Sequence, residues 1–360
     1  MTPALGPVLV IGTGLIGTSV ALALRASNVD VLLEDLSVDH AKTAESMGAG
    51  RLLRPDDAPH LVVVAVPPRH AGRAMAEAAR RFPEATITDV TSVKAPVLAE
   101  AVALGADPAR LVGGHPMAGR EVAGAAAARA DILTDRWWIL TPSGDTDDDR
   151  LRQVHRLVTA CGAFAIQMSA QDHDRAVALV SHAPQLLSST LAAQLVGARD
   201  EHVRVAGQGL RDMTRIAASD SSLWTDILTV NAEQVADVLE GVVADLSEQL
   251  LALRAVADGR ADQAARVTAE LVEGAAGRAR IPGKHGATAA AFADVEVTIA
   301  DRPGEMARLF TAVSETSVNL EDMRIEHVLG RPSGVVLLSV RPEAAPTLVA
   351  ALRDRGFDAH

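Results

Sequence analysis

The sequence predicts an alternating α/β domain built on a parallel sheet, then an all-α domain, then a small α+β unit. Through the first 168 residues, short apolar runs alternate with Ala- and Leu-rich helical segments, the pattern of strands joined by crossover helices. From Asp172 to about Glu273 strand-like runs disappear and apolar residues recur three and four apart. Beyond a Gly/Ala/Arg-rich stretch, strands return in the order β-α-β-β-α. The expected division is residues 1–168, 169–280, a linker at 281–292, and 293–360.

In the first domain Val8–Ile11, Val29–Leu33, Leu61–Val66 and Ala85–Asp89 read as buried strands, with Leu111–Gly113 and Trp137–Leu140 as two more. Thr18–Arg25 and Ala71–Arg81 read as helices between them. In the second, Leu228, Ala232, Val235, Leu239, Val242, Leu246 and Leu253 form a 3.5-residue repeat. Such a seam buries against another helix, of the same chain or of a second subunit; a homodimer is the preferred reading. Gly274–Ala291, with Arg278, Arg280, Lys284 and His285, reads as a solvated linker. The last unit takes strands at Asp294–Ala300, Leu320–Val328 and Gly334–Val340 and helices at Gly304–Ser314 and Glu343–Arg355, and its final four residues open one more strand.

Composition removes whole classes of function. A net charge of -12 gives no electrostatic footprint for nucleic acid or anionic membrane. Three Trp, five Phe and no Tyr leave no base-stacking platform. The lone cysteine, Cys161, excludes an intrachain disulfide and a Cys-based zinc site, and no metal is expected. The longest apolar run, Leu61 to Val66, is far short of the ~20 residues that span a membrane. The start MTPALGPVLVIG lacks the charged segment and cleavage site of a secretory signal. A cytoplasmic protein with a small-molecule substrate is expected.

Gly12-Thr13-Gly14-Leu15-Ile16-Gly17 matches GxGxxG after a strand and at the opening of a helix. Gly12 permits the tight turn, Gly14 lets a pyrophosphate approach the backbone, and Gly17 allows the helix to pack closely on the strand. The next strand ends in Asp35, eighteen residues after Gly17, where an acid bonds the adenosine ribose. A carboxylate there repels a 2'-phosphate, so the expected cofactor is NAD on a Rossmann domain. Glu34 is read as a neighbour. Val66 and Pro67 end another strand at the sheet's carboxyl edge and are assigned to the cofactor wall.

Asp89-Val-Thr-Ser-Val-Lys94 and Gly113-Gly-His-Pro-Met-Ala-Gly-Arg-Glu121 also follow strands. Oxidising a carbinol by hydride transfer needs a proton acceptor, and His115, in a Gly-flanked turn, suits that work. Ser92 either bonds the same hydroxyl or caps a helix. His182, with Gln185 after it, offers polar groups to a neighbouring cleft or is a satisfied structural histidine. Asp212 and Arg215 share a face if helical, as a carboxylate holding a guanidinium for a substrate carboxylate or as a surface ion pair. His173-Asp174 reads as a helix start without chemistry.

Together these motifs resemble the prephenate/arogenate dehydrogenase family of tyrosine biosynthesis. The matching text is VIGTGLIGTS, DVTSVK, GGHPMAGRE, HDRAVALVSHAPQ and GLRDMTRIAASDSSLW, in family order over about residues 5–260. The resemblance implies an NAD-dependent oxidative decarboxylation, with prephenate giving 4-hydroxyphenylpyruvate and NADH. It implies that His115 accepts the proton of the ring hydroxyl and that Ser92 bonds that hydroxyl and the histidine. Arg215 then recognises a substrate carboxylate with Asp212 orienting it, Glu121 gates the pocket, and Trp224 stands at its edge. Gln185 occupies the place of a second family histidine, which leaves arogenate or 4-amino-4-deoxyprephenate as alternative substrates.

The C-terminal unit resembles an ACT regulatory domain, a ferredoxin-like fold. Asp301-Arg-Pro-Gly304 and Asn319-Leu-Glu-Asp322 match that family's effector segments. Gly304 opens a helix whose N–H groups suit an amino-acid carboxylate, and Asn319 lies in the second segment; tyrosine is the expected effector. A reading of another class, a non-catalytic sensor of NAD and amino acids, needs no His/Ser/Arg constellation. The 3-hydroxyacid dehydrogenases use a lysine from the helical domain, and residues 172–273 contain none.

Overall fold

A computed structural model of the chain describes residues 5–119, 124–281, 292–327 and 333–360. It forms two compact units, Met1–Ala244 and Asp245–His360.

The first unit is organised by an eight-stranded sheet. Its strands are β1 (Val8–Ile11), β2 (Val31–Glu34), β3 (Arg51–Leu52), β4 (Leu61–Val64), β5 (Thr86–Asp89), β6 (Leu111–Pro116), β7 (Trp137–Thr141) and β8 (Phe164–Gln167). They lie in the order 3-2-1-4-5-6-7-8. Helices α1 (Leu15–Ala26), α2 (Val38–Ser46), α3 (Pro68–Arg81), α4 (Ala95–Ala103) and α5 (Asp148–Ala160) join them. Val8, Val10, Val31 and Leu33 belong to one apolar core, and Leu9, Leu32, Val62 and Ile87 to another. Alternate residues of one strand thus feed opposite faces, which is why these strands read as continuous apolar runs. Strand order reverses between β1 and β4, the place where a doubly wound sheet opens its ligand crevice.

One expectation is corrected. The sheet is not wholly parallel: β7 runs antiparallel to β6, pairing Gly113 with Thr141 and Pro116 with Trp138. A parallel return needs a crossover, usually a helix. Among the described residues between β6 and β7 there are only two short 3-10 turns, Ala125–Ala127 and Ala130–Leu133. Sequence pattern marked the strand but carried no signal of its direction.

The helical part runs from α6 (Ala170–Val177) through a wide π turn (Ala178–His182) into α7 (Ala183–Ala193). Pro184 explains the widening, since it has no N–H for the carbonyl four residues back and its ring crowds it. Then come α8 (Asp200–Val203), α9 (Gln208–Thr214), a 3-10 turn (Arg215–Ala218), α10 (Ser221–Val230), α11 (Ala232–Ala257) and α12 (Ala264–Ala279). The heptad seam is divided between two helices: Leu228 lies in α10 and the rest in α11, with Asn231 at the break. In the isolated chain Leu246, Leu250, Leu251 and Leu253 are exposed. No helix among the described residues is long and apolar enough to cross a membrane.

The second unit ends in a four-stranded antiparallel sheet of β9 (Ala293–Ala300), β10 (Asp322–His327), β11 (Ser333–Val340) and β12 (Asp358–Ala359), ordered 10-11-9-12. Helices α13 (Glu305–Ser314) and α14 (Ala345–Asp354) complete a β-α-β-β-α-β arrangement. Its core joins Val295, Val297 and Ile299 to Leu309, Val336, Leu338, Leu348 and Leu352.

Candidate active site

The loop after β1 is shaped by its three glycines, each for a separate reason. Gly12 has φ +96, and a side chain there would strike the Ala65 carbonyl at 2.4 Å. At Gly17 a Cβ would lie 2.0 Å from the Gly12 carbonyl oxygen. Gly14 caps α1 without a side-chain bond, and a Cβ there meets nothing within 4 Å. That open helix N-terminus, with Leu15 and Ile16 in its first turn, suits a diphosphate. The residues present therefore fit a dinucleotide. Asp35 accepts from the Thr13 N–H at 2.6 Å, the Thr13 hydroxyl at 2.9 Å and the Ser37 N–H at 2.8 Å. It is held at the end of β2 beside the loop. Glu34 instead pairs with Arg81 at 2.9 Å. Val66 abuts Gly12, where an added Cβ would lie 3.1 Å from its side chain, and Pro67 caps α3.

His115 is the fifth residue of β6, opposite Ile139, and not in a turn. The flanking glycines mislead. A side chain at Gly113 would strike the Thr141 hydroxyl at 2.2 Å, and one at Gly114 the Asp89 carbonyl at 2.6 Å and the Trp138 indole at 2.9 Å. They are strand glycines required by close packing. The ring of half-buried His115 meets His173, Nδ1 to Nε2 at 2.8 Å. His173 Nδ1 bonds Asp174 Oδ1 at 2.7 Å. The Asp174 carboxylate also accepts the N–H groups of Lys94 and Ala95, both at 2.8 Å, and so caps α4. His173 and Asp174 lie near the start of a helix as expected, and α6 in addition sets both against the end of β6.

Beneath His115 lies a wholly buried ion pair between Lys94 Nζ and Asp89. The ammonium also donates to the Gly114 carbonyl at 2.6 Å and to the Thr91 hydroxyl at 3.1 Å. Asp89 accepts from the N–H groups of Thr91 at 3.0 Å and Gly114 at 3.1 Å. Burial pushes Lys94 below its ordinary range, against the pull of Asp89 and Asp174. It pushes His115 well below the usual imidazole range, with His173, Lys94 and His182 adding to the effect. His115 is therefore a neutral imidazole near pH 7. Ser92, half-buried in the same loop, makes no side-chain hydrogen bond among the described residues.

His182 is buried at the end of the π turn, its Nδ1 3.1 Å from Asn231 Nδ2 and its ring edge-on to Trp224 with centroids 6.1 Å apart. Gln185 donates to the Ile216 carbonyl at 2.9 Å and so braces the turn that Arg215 begins. Asp212 accepts from Gln208 at 2.7 Å. Asp212 and Arg215 are both exposed. Glu121 lies outside the described residues. Asp89, Lys94, His173, Asp174 and Asn231 were not anticipated as parts of the site. The one signal for Lys94 was its rarity, three lysines in 360 residues, at the end of a buried strand.

Burial holds His182 down to about 4 from 6.5, chiefly by desolvation. The unfolded chain then binds more protons between those values, so this contribution is complete above about pH 6.5 and is lost as pH falls towards 4, by about 3 kcal/mol at most. Urea unfolding at about pH 7 and about pH 4.5 measures it; the decline should shrink in His182→Gln. An unchanged decline would place His182 in solvent.

Residues 20–167 match the model of the prephenate dehydrogenase nucleotide-binding domain, and residues 169–270 that of the prephenate dehydrogenase dimerization domain. A Streptomyces niveus protein named probable prephenate dehydrogenase NovF is 39% identical over 98% of both chains. The chain belongs to the prephenate dehydrogenase family. It is an NAD-dependent oxidoreductase with a Rossmann domain followed by a helical dimerisation domain. The prephenate dehydrogenase of Bacillus subtilis is 26% identical over 93% of this chain and 92% of its own. Among solved structures, the Aquifex aeolicus prephenate dehydrogenase in complex with hydroxyphenyl propionate and NAD+ matches with a TM-score of 0.66 and 28% identity, over 76% of this chain and 99% of that one.

Proposed function

We infer that this chain converts prephenate to 4-hydroxyphenylpyruvate and carbon dioxide, with His115 as the base. The observation that carries the reading is a neutral, half-buried imidazole at the carboxyl end of β6, braced by His173 and Asp174. NAD, when bound, accepts the hydride from the ring carbon that bears the hydroxyl. His115 Nε2 takes the hydroxyl proton and Ser92 orients that hydroxyl. Arg215, with Asp212 near it, binds one carboxylate; the ring carboxylate departs as carbon dioxide. The ring becomes aromatic, and the proton held on His115 returns to the oxygen, so hydrogens and charge balance. His182, Gln185 and Trp224 line the substrate side, and Gly12 to Gly17, Asp35, Val66 and Pro67 the cofactor side; the resemblance gives Glu121 the gating of the pocket.

The working division is the NAD domain 1–168, the helical domain 169–280 and an ACT-type module 293–360 in a cytoplasmic homodimer. The exposed leucines of α11 support pairing of helical domains. The β-α-β-β-α-β order supports the ACT assignment, and Gly304, at φ +93 before α13, and Asn319 are the residues proposed to receive tyrosine. Gln185, at the place of a second family histidine, leaves arogenate as the second substrate reading.

NADH formation by the purified protein, with prephenate and separately arogenate, tests the assignment. Turnover of prephenate at least about 10-fold faster is expected, with suppression by tyrosine. A reversed preference would keep the chemistry and change the substrate. No turnover of either, with NAD still bound, would overturn the reading in favour of the sensor.

A further inference from the structure

Every hydrogen bond around the two pocket histidines has a determinable direction. The Asp174 carboxylate only accepts, so the proton on the His173 ring sits at Nδ1, 2.7 Å away. A neutral His173 then presents a bare Nε2, which accepts from His115 Nδ1–H at 2.8 Å. That leaves His115 with a lone pair on Nε2. On the other side, Asn231 Nδ2 donates to the Asp174 carbonyl oxygen at 3.0 Å, which fixes which end of the amide faces inward. Its second hydrogen reaches His182 Nδ1 at 3.1 Å, so His182 carries its proton on Nε2.

We propose that His173, Asp174 and Asn231 are positioning residues that set the pocket's two histidines in opposite tautomers, His115 as acceptor and His182 as donor at Nε2. The proposal rests on His115 acting as the base. The acceptor takes the hydroxyl proton, while the donor is matched to an oxygen, a substrate carboxylate, that a second bare nitrogen would repel. The relay also supports the product of proton transfer. An imidazolium at His115 keeps its bond to His173, whose own N–H points at the Asp174 charge, the arrangement by which a buried carboxylate stabilises a catalytic imidazolium. Burial that keeps all three rings neutral at rest agrees with these directions.

The direct test is nitrogen-15 NMR of histidine-labelled protein saturated with NAD, which reads each ring's tautomer without any variant. A bare Nε2 on His115 and a protonated Nε2 on His182 are expected; the reverse on either ring overturns the proposal. Kinetics separates it from the base assignment. His173→Phe should lower kcat about 10²-fold with KM for prephenate little changed, and His173→Gln, which keeps an acceptor for His115 Nδ1–H, should recover most of it. The acid limb of kcat/KM should shift in the Phe variant, because the ring that helps hold His115 down and the link to Asp174 are both gone while the other groups facing His115, Lys94, Asp89 and His182, remain. A dead His115→Asn beside a His173→Phe of undiminished kcat and unshifted pH profile would sink the relay and leave the base. An active His115→Asn would sink the base itself.

Discussion

His115→Asn should lower kcat by about 10²–10⁴-fold while leaving NAD binding within about twofold. The asparagine is close to the imidazole in size and keeps a polar group near His173, so β6 and its antiparallel pairing with β7 have no reason to move. On the proposed mechanism, what disappears is an acceptor able to hold a full proton while hydride leaves the same carbinol. The glycine loop and Asp35, proposed for NAD, follow β1 and β2 and not β6, so titration with NAD separates loss of chemistry from loss of fold. An effect under about tenfold on kcat would mean that water or another group takes the proton.

Lys94→Met should cost about 3–5 kcal/mol of stability, the usual penalty for removing one partner of a buried ion pair. Methionine fills most of the volume, so packing contributes little. The Asp89 carboxylate keeps its bonds from Thr91 and Gly114, but it loses its counter-charge at a position with no exposure to water. Pairing the change with Asp89→Asn should return a large part of the loss, since neither charge is then left unmatched. Urea unfolding of the two single variants and the double variant measures this. A single-variant loss below about 1 kcal/mol would show that solvent reaches Asp89.

Much of this was legible beforehand because it is local. GxGxxG and the acid that follows it are set by contacts within one strand, one turn and one helix, and the alternation of apolar runs and helical segments gives the sheet. The small C-terminal unit was readable for the same reason, down to a strand in its last residues. What stayed hidden depends on residues distant in sequence. Lys94 and Asp174 are 80 positions apart and meet only because α6 returns to the end of the sheet. Gly113 and Gly114 looked like a turn because glycine's use in a turn and its use under a neighbouring indole leave the same letter. Asn231 broke a heptad that otherwise read as one helix, and its reason for being there is a carbonyl 57 residues upstream.

The pairing of β5 with β6 stops at Val112, yet β6 continues for four more residues. Past that point Gly114 has no strand on its inner side, and its amide and carbonyl are met by the Asp89 carboxylate and the Lys94 ammonium. The ion pair therefore acts as a surrogate for one further rung of the sheet, built from side chains. A backbone rung would have carried β5 onward beside His115. With side chains in its place, β5 is free to turn away into the loop that holds Ser92, and a polar crevice begins where further ladder would otherwise have closed the sheet.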